Sequence, residues 1–218
     1  MSLDKQAVID KIRAAFAETE FPGEAFLQGS TEGDEPAEEV GPFRSQKDWQ
    51  AVEAALLDRH ANALSFFSEA GFRFFMPADL VADLNDRLSV ADPLFHLTHG
   101  FFDFSVDAPF GNRVFVIASG GSTLLNPRRY GAAAFGDHAR YRLSVFTREE
   151  AGAIVAYLEF RRDRDPVCPE KPRIDAALES YWLERARTAP TAEALRRHLA
   201  GQRDYVEAIQ ASARESGG

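Results

Sequence analysis

Cysteine is nearly absent from this chain: Cys168 is the only one among 218 residues. A single thiol excludes an intrachain disulfide and any metal site built from several thiolates, and it fits a reducing compartment. Uninterrupted apolar runs of the roughly 18 residues that a membrane span needs are also lacking. The opening residues, MSLDKQAVIDKIRAAF, mix charges with apolar positions, unlike a signal peptide. These absences predict a soluble, cytoplasmic protein that does not enter a membrane.

Positive charge is scarce as well, with 25 Lys and Arg against 34 Asp and Glu and a net charge of −9. A phosphate backbone is held mainly by basic side chains that line one surface. The basic residues here form isolated pairs without interleaved stacking aromatics, such as Arg128-Arg129, Arg161-Arg162 and Arg196-Arg197. The sequence therefore predicts no nucleic-acid partner.

Phenylalanine, by contrast, is concentrated in the middle of the chain, where 11 of the 18 lie between Phe66 and Phe115. Aromatic rings bury large areas, so this block predicts the densest part of a core. Seven residues with helical spacing should meet there: Phe67, Phe72, Phe75, Leu80, Leu84, Ile154 and Leu158.

Apolar residues at steps of three and four predict helices over 3–18, 47–67, 130–141 and onward from a capping box at Thr147. A short helix after Ser68 should be followed by another that Pro77 begins, with Asp79, Asp83 and Asp86 on its solvated face. Alternating apolar residues around a turn predict a β-hairpin at 101–118 that needs a further strand or a helix layer. The expected fold is α+β: a mainly helical single domain, 1–218, with a small β-hairpin.

Two further segments complete the predicted organisation. Residues 28–46 lose periodicity, so we predict an acidic surface loop, and residues 173–212 should form a C-terminal helical pair. The loop offers a basic protein partner five carboxylates: Glu32, Asp34, Glu35, Glu38 and Glu39. A solvated acidic loop without a partner accounts for the same composition.

His96 and His99, with Asp103 four residues on, are the candidate metal ligands. Two imidazoles and a carboxylate would leave an open coordination position if the segment were helical. Gly100 and the strand expected after it interrupt such a helix. Histidines that hydrogen-bond locally beside Phe95, Phe101 and Phe102 are the alternative.

Gly120 and Gly121, followed by Arg128 and Arg129, are candidate anion-binding residues, because glycines let backbone amides converge and guanidinium groups add bidentate contacts. The lysine of a phosphate-binding loop is missing. A glycine turn that leaves the hairpin explains the same residues.

Several stretches together resemble a bacterial family catalogued as domain of unknown function 6714. They are FPGE (21–24), Asp48-Trp49, LLDRH (56–60), LSFFSEAGFRFFMPADL (64–80) and RLSVFTREEAGAIVAYL (142–158). The resemblance covers roughly residues 8 to 160 and implies a small, soluble, helix-rich bacterial protein. It brings no catalytic residues, and the hairpin and the C-terminal helical pair look like additions to the family's shorter members.

No catalytic signature emerges: a G-x-S-x-G elbow and a recognisable triad spacing are both missing. We therefore expect a non-enzymatic binding or regulatory protein that needs no cofactor. The alternative is a metal-assisted hydrolase that uses His96, His99 and Asp103. The sequence names neither a partner nor an oligomeric state.

Overall fold

The computed structural model describes residues 4–111, 113–124, 134–165, 167–198 and 200–201. Over these residues the chain folds into short and medium helices and one two-stranded antiparallel sheet, which confirms the predicted mainly helical α+β class. The elements are α1 (Lys5–Ala15), α2 (Glu35–Val40), α3 (Ala54–Arg59), α4 (Ala63–Phe66), α5 (Glu69–Leu84), α6 (Pro93–Thr98), β1 (Phe104–Phe110), β2 (Arg113–Ser119), α7 (Phe135–Leu143), α8 (Arg148–Arg164), α9 (Lys171–Ala177) and α10 (Leu183–Thr188). Single 3₁₀ turns cover Glu24–Phe26, Gly41–Ser45 and Trp49–Ala51, and a π-helical turn, Leu178–Trp182, joins α9 to α10.

Helices α5 and α8 form the centre of the core, with α1 and α10 packed against α8. Phe72, Phe75 and Leu80 of α5 are fully buried, as are Ile154 and Leu158 of α8. They belong to one continuous apolar cluster, so the predicted meeting of these two stripes is confirmed.

Helix α8 begins as the sequence predicts. The Thr147 hydroxyl accepts a hydrogen bond from the Glu150 amide, and the Glu150 carboxylate accepts one from the Thr147 amide at 2.8 Å. The carboxylate of Glu150 also receives the guanidinium of Arg73 and the hydroxyl of Thr19. A local capping motif thus becomes a contact between distant parts of the chain.

The prediction that Pro77 begins a helix is wrong, because Pro77 lies inside α5, which Ser68 caps through the Gly71 amide. An interior proline costs about 3 kcal/mol in a helix. Met76 and Leu80 on either side are fully buried, and so is Phe75. Burial of a large apolar side chain yields roughly 1.5–3 kcal/mol each, which outweighs the lost hydrogen bond.

The helix predicted over 47–67 is divided into the Trp49–Ala51 turn, α3 and α4. The Trp49 indole donates to the Phe16 carbonyl at 3.2 Å, and Val52 is extended after this turn. Asp58 in α3 accepts the consecutive amides of 89–91. These contacts to remote backbone replace the bonds of a continuous helix.

The segment 28–46 is not a loop throughout, which corrects the prediction. Helix α2 and the Gly41–Ser45 turn lie within it, and their buried residues are Pro36, Val40 and Phe43. The helical spacing of these three apolar residues is difficult to recognise in the sequence because charged residues lie between them. The carboxylates of Asp34, Glu35 and Glu38 remain exposed.

The C-terminal helical pair is seen in part. Its first member is divided into α9, the π-helical turn and α10, with Trp182 fully buried. Thr191 then caps a helical segment over 192–198 by accepting the Ala194 amide at 3.1 Å. Residues 200–201 are also helical, and the rest of the predicted pair, 199 and 202–212, lies outside the described residues.

The three aspartates of α5 and its end are not all on a solvated face, contrary to prediction. Asp79 is 3% exposed. Asp83 accepts the Tyr157 hydroxyl at 2.7 Å and pairs with Arg161. Only Asp86 is exposed, beside a guanidinium of α8. Burial raises the pKa of Asp79 to about 8, and the nearby charges of Asp83 and Asp58 add to this effect.

This burial predicts how stability depends on pH. The folded chain keeps the Asp79 proton between about pH 4 and 8, whereas the unfolded chain releases it, so stability falls as pH rises through this window. The maximum slope is about 1.4 kcal/mol per pH unit. Asp79→Asn should remove most of this slope and exceed the wild type in unfolding free energy near pH 8.

Denaturant titrations at several pH values measure this effect. Asp86→Asn, at the exposed end of the same helix, is the matched control and should keep the wild-type slope. An unchanged slope in Asp79→Asn would show that Asp79 is ionised in the folded protein.

Candidate functional site

Helix α6 carries the first of the two predicted site histidines, and the second lies at its C-terminal end. Asp92 caps the helix by accepting the Phe95 amide at 2.9 Å, and Pro93 occupies its first turn. His96 lies in the last turn, and His99 is the residue at which the backbone becomes extended. The two imidazoles therefore lie near each other, but not on a continuing helix face.

Helix α7 faces them and brings His138 and Arg142, which are one helical turn apart. Between α6 and α7 is a cavity of about 240 Å³. We call it the histidine pocket, and its principal lining residues are Phe95, His96, His99, Phe135, His138 and Arg142. Sequence reasoning missed the last two, although their four-residue spacing places them on one helix face.

Aromatic contacts hold the imidazoles in place. His99 stacks on Phe95 with ring centroids 4.6 Å apart and meets the edge of Phe135 at 5.2 Å. His96 makes edge contacts with Phe95 at 5.3 Å and with Phe72 at 6.2 Å. Aromatic side chains thus surround both rings. The sequence predicted that the two histidines would hydrogen-bond to groups near Phe101 and Phe102, but no such hydrogen bond is found among the described residues.

Arg142 supplies the positive charge of the pocket. Its Nη2 donates to the Leu64 and Phe67 carbonyls, and its guanidinium lies 4.5 Å from the centre of the Phe72 ring. Its Nε is buried without an acceptor, and no carboxylate among the described residues lies within salt-bridge distance. Burial lowers the pKa of Arg142, with Glu69 opposing the shift. The guanidinium is therefore a desolvated cation held by neutral groups.

The three imidazoles are shifted toward their neutral form. Burial, followed by the charge of Arg142, lowers the pKa of His96 to about 4. Burial is also the main cause that lowers the pKa of His99 and of His138. Near neutral pH the pocket thus combines one fixed positive charge with neutral rings that can donate and accept hydrogen bonds.

Asp103, the third predicted metal ligand, does not line this pocket. Its carboxylate accepts the amide and the hydroxyl of Ser122, at 2.9 and 3.0 Å. Over the residues the structure describes, no group of three or more His, Cys, Asp and Glu side chains is arranged to hold a metal ion. The geometry brings His96 and His99 together with His138 instead.

The predicted anion-binding glycines lie at the base of the hairpin. Gly120 has a φ of 125°, and a Cβ there would meet the Phe102 carbonyl at 2.2 Å. A Cβ on Gly121 would meet the Gly100 carbonyl at 2.4 Å. The following amide already binds the carboxylate of Asp103, so this turn joins two chain segments. Arg128 and Arg129 lie outside the described residues.

No protein-family model, no curated protein and no solved structure matches this chain. Of the described helices, none has both the length and the apolar character needed to cross a membrane. Interpretation of the site therefore depends on its own geometry.

The environment of His96 predicts an unusual titration. Its ring should stay neutral until the pH falls to about 4. The unfolded chain binds this proton near pH 6.5, so the folded state loses stability as pH falls from about 6.5 toward 4. NMR titration of the His96 ring protons measures the midpoint directly. Because the charge of Arg142 helps to lower the pKa of His96, Arg142→Met should raise the titration midpoint of His96. A midpoint near 6.5 in the wild-type protein would contradict the burial of the His96 ring.

Proposed function

We propose that this protein is a non-enzymatic binding or regulatory protein of a bacterial cytoplasm, and that it holds a small organic anion in the histidine pocket. The observation that carries the proposal is the desolvated guanidinium of Arg142. A partly buried charge without a salt-bridge partner is costly. An anion in the cavity would supply the missing partner.

The lining of the pocket specifies the rest of the ligand. Phe95 and Phe135 offer apolar ring faces and edges, while the neutral imidazoles of His96 and His99 offer single hydrogen bonds. Ligand pockets usually span about 300–1,000 Å³, so a cavity of about 240 Å³ suits a small molecule. A carboxylate on one aromatic ring matches the charge, the apolar walls and the volume.

Binding suits these groups better than hydrolysis does. A general base works best when its pKa is close to the working pH, and the pKa of His96 is about 4. Among the described residues that line the pocket, none is a carboxylate that could orient an imidazole. These features favour a site that recognises an anion without transforming it.

Calorimetric titration with benzoate tests the proposal. Benzoate should bind the wild-type protein, and benzamide, a neutral molecule of nearly the same shape, should bind at least about 10-fold more weakly. Arg142→Met should weaken benzoate binding by about 10- to 100-fold, because a hydrogen bond to a charged group contributes about 1.5–3 kcal/mol.

Arg140→Met is the matched control, since Arg140 is an exposed arginine of the same helix. It should leave benzoate affinity unchanged. Equal affinities for benzoate and benzamide in the wild-type protein would overturn the anion proposal even if Arg142→Met failed to fold.

A second surface fits the regulatory part of the proposal. The carboxylates of Asp34, Glu35 and Glu38 are exposed around α2, and Glu32 is exposed just before it. Glu39 is only 18% exposed in its side chain and lies 3.8 Å from His60, so it faces the body of the protein. The acidic surface proposed for a basic protein partner is therefore carried by the first four.

Polylysine binding at low and high salt tests this surface. The triple variant Asp34→Asn, Glu35→Gln, Glu38→Gln should bind polylysine several-fold more weakly at low salt, and the difference should vanish at high salt. The control variant Asp10→Asn, Glu20→Gln, Glu179→Gln removes three exposed carboxylates elsewhere. Equal losses in both variants would mean that net charge alone, without a particular surface, attracts the partner.

The relation to domain of unknown function 6714 remains part of the proposal. The two longest stretches of the resemblance contain most of α5 and the first part of α8. The resemblance to this family is therefore carried mainly by segments that form the core. Phe95, His96 and His99 of the histidine pocket lie between the two stretches.

A further inference from the structure

The hairpin has two chemically different faces. Direct pairing of Val106 with Ile117, and of Ala108 with Phe115, places these side chains on one face. Alternation along the strands adds Phe104 and Phe110 to the same face. We call this the apolar hairpin face. Its large apolar residues are Phe104, Val106, Phe110, Phe115 and Ile117, and Arg113, the partner of Phe110, lies on the same face at the tip of the hairpin. The opposite face carries Ser105, Asp107, Pro109, Val114 and Val116.

The apolar hairpin face is open to solvent. Phe104 is 44% exposed, Phe115 49% and Phe110 80%. Val106 and Ile117 are 49% and 53% exposed. In the described part of the chain, the extensive contacts of the hairpin are between its own strands. The third strand or helix layer that the sequence predicted for this hairpin is not found among those residues. An isolated two-stranded ribbon is marginally stable in water, so the hairpin requires a cover other than the described residues.

We infer that the cover is a second copy of this chain, with the two apolar hairpin faces packed against each other around a two-fold axis. A two-fold interface uses the same patch on both subunits, and two copies of this patch can pack together because all its large side chains are apolar except Arg113 at the tip of the hairpin. Packed sheets lie about 10 Å apart and interdigitate side chains, which is the geometry that these five side chains can fill.

The exposed area is sufficient for a dimer. An aromatic side chain covers 150–250 Å², so the exposed parts of the three phenylalanines alone give roughly 350 Å² per copy. Val106 and Ile117 extend this area. Full burial of these side chains in two copies would remove on the order of 1,000 Å² from solvent, which is about the lower limit for a biological interface.

The small number of charged residues in the hairpin also favours a second copy of the chain as its cover. The chain carries a net charge of −9, yet residues 104–119 contain one acid, Asp107, and one base, Arg113. Two hairpins can therefore meet without the repulsion that the rest of the acidic surface would produce. Pro109 has no amide hydrogen, which disfavours strand addition at the β1 edge.

Molar mass in solution tests the inference. The wild-type protein should have twice the 24.2 kDa mass of the chain by light scattering and should dissociate on dilution. Phe115→Asp with Ile117→Asp should raise the dimer dissociation constant by about 100-fold or more. Val114→Asp with Val116→Asp introduces the same charges into the same strand on the opposite face and should remain dimeric.

Cross-linking provides a readout that does not depend on added charge. In a Cys168→Ala background, a bifunctional maleimide with a spacer of about 10 Å should link two chains through Val106→Cys, whereas it should not link them through Val116→Cys. A wild-type protein that is monomeric at every concentration would overturn the inference and leave the face to a different macromolecule. Equal dissociation of the two double variants, or equal cross-linking at the two cysteine positions, would also overturn it.

Discussion

The buried carboxylate of Glu150 is the contact on which the arrangement of the helices depends. It accepts the Thr147 amide at 2.8 Å, the Arg73 guanidinium at 2.8–3.0 Å and the Thr19 hydroxyl at 2.9 Å. One side chain therefore caps α8, joins it to α5 and fixes the segment after α1. Because the carboxylate is 2% exposed, losing any one partner would leave a buried charge undercompensated. Asp83 with Tyr157 and Arg161 makes a second contact between the same two helices farther along.

The histidine pocket depends on this helix pair. Phe72 of α5 lies under the Arg142 guanidinium, and the Leu64 and Phe67 carbonyls just before α5 accept from its Nη2. A rotation of α5 would move the ring and displace these acceptors. The Arg142 guanidinium is thus positioned by the same framework that Glu150 holds.

Features that depend on a few neighbouring residues were predictable from the sequence. The capping box of α8, the hairpin and the apolar stripe from Phe72 to Leu84 are examples. The break in the predicted helix over 47–67 was not predictable, since it depends on where Trp49 finds a remote carbonyl. The burial of Asp79 was not predictable either, because it depends on tertiary packing around α5. His96 and His99 were recognised, but their neighbours His138 and Arg142 come from α7, and only the tertiary fold brings the two helices together.

The hairpin and the histidine pocket share a wall. The stacked Phe95 and His99 line the pocket on one side and, on the other, a cavity of about 140 Å³ that also contacts Phe104. Phe104 belongs to the apolar hairpin face. A ligand that displaces the His99 ring would therefore alter the packing behind Phe104, and a dimer contact on Phe104 would restrain His99. If the proposed anion moves this wall, its binding is coupled to the proposed dimerisation, and by thermodynamic linkage the effect of each on the other is equal.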